Sequence, residues 1–202
     1  MFASCGCVRN GEDEEHKPVF RTKQEHLDRL WTADAELTHM DVQFRTAREE
    51  DAPSIAAWFA THAEAVLWGG PKVPAHFDAP WFAREMDDPS GLYRVAHTPD
   101  EIVGVYGVRS FAQERRMHIL RVAVAPAYRS KGIGHALVID AISIALAREA
   151  LTVSLNVYGS NVRALKIYEY LGFRVSGKRD APEDPSGVSI YMERAALALI
   201  TG

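Results

Sequence analysis

The sequence predicts an α/β domain built on a mixed sheet, in the element order βα(α)βββαβαββ. Two observations carry this. Apolar runs of strand length follow one another across residues 92–124 with only short turns between them, the pattern of neighbouring strands joined directly. The run Leu120-Arg121-Val122-Ala123-Val124 then leads through Arg129-Ser130-Lys131-Gly132-Ile133-Gly134 into the long apolar stretch 133–147, which reads as strand, glycine turn and helix. With 202 residues, 47% of them hydrophobic, the chain is long enough to bury a sizeable single core.

Each element has its own signal. Residues 42–47 read as the first strand, and Asp51-Ala52-Pro53 opens a helix because proline suits a first helical turn. Ile55, Trp58, Phe59 and His62 recur at helical spacing, so most of them are expected to face the core, and the helix is expected to end before the loop Trp68-Gly69-Gly70-Pro71. Residues 92–97 and 102–111 are strands around a Thr98-Pro99-Asp100 turn, and 117–124 is the next. After the long helix, 152–157 is a buried strand, and 173–178 and 188–193 flank a loop with Pro182, Pro185 and Gly187. Residues 1–40 form an extension with an acidic excess, and the domain proper is 41–202. Within the extension Thr22-Lys23-Gln24-Glu25 fits a capping box for one helix through Leu27, Leu30 and Trp31, and the rest reads as a poorly ordered leader. Met40 is an alternative start.

The glycine turn carries the chemistry. Gly132 and Gly134 let the main chain approach an anion, and the amides that open the following helix are unpaired donors at the positive end of its dipole. A P-loop is excluded because Lys131 precedes the glycines and no hydroxyl residue follows to hold magnesium. A dinucleotide fingerprint is excluded because Leu137 stands where a third small residue is needed.

The remaining pattern, Arg/Gln-x-x-Gly-x-Gly/Ala with a strand and Pro126 before it, resembles the acyl-CoA-binding motif of the GNAT superfamily of N-acetyltransferases. Downstream, the segment from Asn161 through Tyr168 to Gly172-Phe173 is similar to that family's second cofactor-contacting helix, and Phe44-Arg45-Thr46-Ala47-Arg48 is similar to its first strand. The resemblance covers residues 41–194. It implies a mixed, mainly antiparallel sheet flanked by helices, with the cofactor cleft between the fourth and fifth strands. It also implies acetyl-CoA as cosubstrate, no metal, and direct attack by a primary amine in a ternary complex. Main-chain groups of Val122 and Val124 would pair with the pantetheine arm, and the amides of Ser130, Lys131, Gly132, Ile133 and Gly134 would hold the pyrophosphate. Arg129 and Lys131 would add positive charge.

Acetyl transfer to an amine sets two demands. An alkylamine with a pKa of about 10.4 is protonated at neutral pH, a deficit of roughly 4 kcal/mol that a base or a desolvating pocket must offset. The departing thiolate needs a proton from an acid that stays protonated, as a tyrosine does. Asn161 and Tyr168 are seven residues apart and so are expected on one helical face, Asn161 toward the pantetheine and Tyr168 as general acid, the role the resemblance also gives it. His118 falls where several family members keep a catalytic carboxylate or histidine, so it is the candidate base, with a surface histidine as the alternative. Glu114 is a weaker candidate, and Asn156 cannot act as a base. Trp68 and its loop, with Phe77, Trp81 and Phe82, occupy the region that forms one wall of the acceptor site in the family.

Composition bounds the partners. A formal charge of −4 and a pI near 6.1 give no footprint for nucleic acid. No apolar run suits a membrane span and no secretory signal is visible, so a cytoplasmic enzyme is expected. Cys5 and Cys7 have only His16 nearby, too few ligands for a metal site. The acceptor is expected to be a small-molecule amine or a peptide N-terminus; Glu64, Glu85, Asp87 and Asp88 would suit a polycationic one. A homodimer is compatible with this reading. The alternative is a non-catalytic acyl-CoA-binding module whose N-terminal arm engages a partner.

Overall fold

The computed structural model describes residues 41–75 and 77–197; the N-terminal extension, with its expected helix and Cys5, Cys7 and His16, lies outside them. The elements are β1 (Gln43–Thr46), α1 (Ala52–Ala56), α2 (His62–Gly69), α3 (Ala79–Met86), β2 (Gly91–His97), β3 (Ile102–Phe111), β4 (Arg116–Val124), α4 (Ile133–Ala147), β5 (Thr152–Tyr158), α5 (Val162–Tyr170), β6 (Arg174–Asp180) and β7 (Val188–Ala195). One seven-stranded sheet has the order β1-β2-β3-β4-β5-β7-β6. Every neighbouring pair is antiparallel except β4 and β5, whose parallel register requires a crossover, and α4 supplies it.

Each face of the sheet buries its own core. On one, α4 is apolar around most of its circumference and packs with α5 over Tyr106, Val108, Met117, Ile119, Val153 and Leu155. On the other, α1 and α3 set Ile55 and Phe82 against Tyr93, Val95 and Val105, with Trp58, Phe59, Trp68 and Trp81 around them. The one carboxylate inside α4, Asp140, is paired rather than stranded: Arg94 Nε donates to it at 2.7 Å and the Tyr106 hydroxyl at 2.6 Å. Asp140→Ala should cost about 3 kcal/mol in urea unfolding, because it leaves the Arg94 guanidinium without its buried counter-charge.

The first helical stretch departs from expectation. The single helix predicted from Asp51 onward is two: α1 ends at Ala56, and α2 begins after Thr61, whose hydroxyl accepts from Glu64 N at 3.2 Å while Glu64 accepts from Ala60 N at 2.8 Å. That reciprocal cap makes a new start inside a continuous helical pattern. Consequently Trp68 and Gly69 close α2 rather than forming a loop, and His62 is exposed. Helix α3, which the aromatic cluster concealed, starts where Asp78 Oδ1 accepts from Trp81 N at 2.9 Å, with Pro80 in the first turn.

Candidate active site

The site begins as a gap in the sheet. Strands β4 and β5 are in register only from Arg116–Ile119 against Thr152–Leu155. Beyond that point β4 carries one extra residue against β3, between Leu120 and Ala123 opposite Tyr106. This bulge turns two successive side chains to the same face: Leu120 joins the α1–α3 core, and Arg121, at φ 53°, lays its guanidinium 4.8 Å from the Trp81 ring centre and 5.7 Å from that of Trp68. The strands diverge around a cavity of about 1350 Å³, whose walls include both Leu120–Val124 and Leu155–Tyr158.

At one part of this cavity lies the glycine turn. Ser130 (φ 68°) and Gly132 (φ 79°) are left-handed, and the first internal bond of α4 runs from Ala136 N to Gly132 O at 3.1 Å, so the amides before it have no helical partner. Arg163 of α5 donates to Ser130 Oγ at 2.9 Å and ties the two helix starts together. A Cβ on Gly134 would stand 3.5 Å from Ile167 Cδ1 and 3.8 Å from Val124 Cγ2, so glycine here keeps open the space between α4 and α5 rather than relieving strain. This cradle of amides and cations fits a phosphorylated ligand such as coenzyme A. Arg129 lines the cavity, its Nε donating to Val124 O at 3.4 Å. Lys131 instead lies over the Tyr128 ring at 4.8 Å, and the Ile133 side chain is in the core, leaving only its amide toward the turn.

Asn161 caps α5 rather than lying within it: Oδ1 accepts from Ala164 N at 3.1 Å, so the side-chain amide nitrogen is what it can offer a ligand. Tyr168 is buried against Phe173, with ring centres 5.8 Å apart, and lines the cavity. Its hydroxyl has no hydrogen-bond partner among the described residues, and burial pushes its pKa up to about 12. Tyr170, by contrast with the buried Phe173, is exposed and meets His135 at the cavity rim. Trp68 forms part of the opposite wall, stacked on Phe59 at 4.6 Å.

His118 is half-buried, not a surface residue. Nδ1 is 2.9 Å from Ser154 Oγ, Nε2 is 3.3 Å from Asn156 Nδ2, and the ring lies nearly parallel to Tyr191 at 6.2 Å. Burial first, and then the guanidinium groups of Arg116, Arg109 and Arg179, push the imidazole down to about 4. It is therefore neutral at physiological pH and a hydrogen-bond acceptor, though a weak proton binder. Glu114 is exposed and paired with Arg116 at 2.7 Å. The sequence reading missed Ser154, Tyr191, Arg109 and Arg179, which the sheet register brings to the face that carries His118.

The depressed imidazole has a stability consequence. Because the folded-state value lies below the ordinary 6.5, the unfolded chain binds the extra proton between pH 6.5 and 4, so stability is complete above that window and is lost as pH falls through it. His118→Gln should flatten this limb, worth up to roughly 3 kcal/mol, in denaturant titrations at successive pH values.

Among the described residues no cluster of His, Cys, Asp and Glu could hold a metal ion, and no helix is long and apolar enough to cross a membrane. Human N-acetylaspartate synthetase is 32% identical over 95 residues, 47% of this chain and 32% of that protein. Mycothiol acetyltransferase of Kineococcus radiotolerans is 33% identical over 118 residues, 58% of this chain and 36% of that protein. The chain thus spans about a third of the length of these curated relatives. The crystal structure of the ribosomal-protein-S18-alanine N-acetyltransferase from Escherichia coli superposes with a TM-score of 0.60 over 78% of this chain and 96% of that one, at 20% identity, a likeness of fold. The model of the Acetyltransferase (GNAT) family matches residues 48–173, from the end of the first strand through the divergent strands and glycine turn to the close of α5. With more than half of its length matched in this way, the chain belongs to the GNAT family of acetyltransferases.

Proposed function

We propose that this protein transfers the acetyl group of acetyl-CoA to a primary amine by direct attack in a ternary complex. The observation that carries the proposal is that one cavity is lined by the glycine turn, by Tyr168 and by His118. Gly132, Gly134, Ser130 and Arg129, with Lys131 and Ile133 contributing main-chain amides, would hold the pyrophosphate; Asn161 and the main chain of Val122 and Val124 would hold the pantetheine arm. Acetyl-CoA, when bound, supplies the activated thioester. The Tyr168 hydroxyl stays protonated across the working pH range and is the proton source for the departing sulfur. His118 Nε2, which faces the Asn156 amide nitrogen at 3.3 Å, would accept a hydrogen bond from the incoming amine in place of that donor, directly or through water. Since its pKa near 4 makes it a poor terminal base, the cavity's exclusion of water from the amine carries more of the deprotonation cost than the imidazole does.

The names of the relatives span small molecules and a protein: N-acetylaspartate, mycothiol and a ribosomal-protein alanine. They support an acceptor that is a small-molecule amine or a peptide N-terminus. Thiol release from acetyl-CoA, followed across a panel of amines and paired with calorimetric titration of acetyl-CoA, tests the reading. Amine-dependent release with micromolar cofactor binding is expected; absence of cofactor binding overturns it.

A further inference from the structure

The whole chain carries a net charge of −4, yet the cavity is lined by seven lysine and arginine side chains and one acid, Glu64. Three of the cations, Arg129, Arg163 and Lys166, stand on the glycine turn and on α5, where phosphates are expected. The other four come from different elements. Arg109 on β3 is the direct cross-strand neighbour of His118, Arg179 lies on β6, Lys72 follows α2, and Arg121 sits at the β4 bulge. A pyrophosphate at the turn does not account for them.

The acids expected from sequence to draw a polycation are spent. Glu85 pairs with Arg121 at 2.6 Å, Asp88 with Arg109 at 3.0 Å, and Glu64 accepts from the Ala60 amide. Asp87 faces a separate cavity against α1 and α3. Among the remaining acids, Glu193 accepts from the Tyr191 hydroxyl at 2.8 Å, Glu183 from that of Tyr158 at 2.7 Å, and Glu114 pairs with Arg116. Lys72 and Arg179 have no ion-pair partner among the described residues. Hydrogen-bonding capacity is also unfilled: Trp68 Nε1, Arg109 Nε and Arg121 Nη1, all on cavity-lining residues, are buried donors without an acceptor among the described residues. The named acids are thus engaged, two of them by Arg109 and Arg121 themselves, while Lys72, Arg179 and the three buried donors remain, and that is the complement of an anion rather than of a polyamine.

We infer that the amine acceptor is a small molecule bearing a carboxylate, an amino acid in chemical class, whose carboxylate is held by Arg179 and Arg109 beside His118. This rests on the acetyl transfer proposed above and names the substrate class of the same site. The bound carboxylate would offset the guanidinium field on the imidazole and make His118 a better acceptor at the moment the amine arrives.

The test compares acceptors that differ only in the carboxylate: proteinogenic amino acids, the corresponding amino-acid amides, and spermidine, with acetyl-CoA held saturating. An amide has the less basic amine and so more free base near neutral pH, which means that intrinsic reactivity alone favours the amide. The expected result is the reverse, kcat/KM at least ~10-fold higher for an amino acid than for its amide. Arg179 is exposed, so Arg179→Gln should fold; it should raise KM for the amino acid about 10-fold, leave the amide's KM and the calorimetric Kd for acetyl-CoA unchanged, and be partly rescued by Arg179→Lys. Turnover confined to amides or spermidine, or absent across the panel while acetyl-CoA binds, overturns the carboxylate inference. Failure of acetyl-CoA to bind instead overturns the activity on which it rests.

Discussion

Gly134→Glu should abolish acetyl-CoA binding, weakening it by at least ~100-fold in calorimetric titration, while the protein stays folded. Gly134 is the position to use because its backbone is not left-handed and a Cβ there meets Ile167 and Val124 only at ordinary contact distances, 3.5 and 3.8 Å. The longer glutamate then carries its carboxylate into the cleft between α4 and α5, where it competes for the unpaired amides and repels a phosphate. Gly132 is the wrong choice for this purpose. Its φ of 79° makes any side chain strained by roughly 1–2 kcal/mol, so lost binding there would be confounded with lost fold. A folded Gly134→Glu protein with unchanged affinity would remove the turn from the binding site.

Tyr168→Phe should lower kcat by about 10²-fold with little change in cofactor affinity or in stability. The hydroxyl makes no hydrogen bond among the described residues, so its removal strands no partner, and the edge contact of the ring with Phe173 survives. Since burial holds the hydroxyl near 12, wild-type activity should show no loss from its ionisation below about pH 11, and a high-pH limb in that range would belong to another group. Wild-type turnover by the phenylalanine variant, under conditions where chemistry limits the rate, would place the proton elsewhere.

What the sequence made legible was local. The glycine turn, the long apolar helix and the three strands before it each announce themselves within a dozen residues, and β3 and α4 begin and end where the apolar pattern does. The break between α1 and α2 did not, because Trp58 and Phe59 keep the helical period running through it and the cap at Thr61 decides the matter. The bulge at Arg121 was equally hidden, since a left-handed arginine carries no mark of the kind a glycine would. Site residues split along the same line. Gly132, Gly134 and Tyr168 belong to short motifs, and His118 is reached by counting back from the glycine turn, whereas Arg109, Ser154, Tyr191 and Arg179 come from four other strands and join it only through register, which is set by the packing of whole faces.

The divergence of β4 from β5 has a thermodynamic reading as well. A sheet interrupted at its centre leaves main-chain donors and acceptors facing the gap, and a ligand that pairs with them enters the stability of the fold by mass action. At a hundredfold excess over its Kd such a ligand adds about 2.7 kcal/mol to unfolding. With such a ligand bound, the melting temperature would be a property of the solution as much as of the chain, and would track the ligand's free concentration.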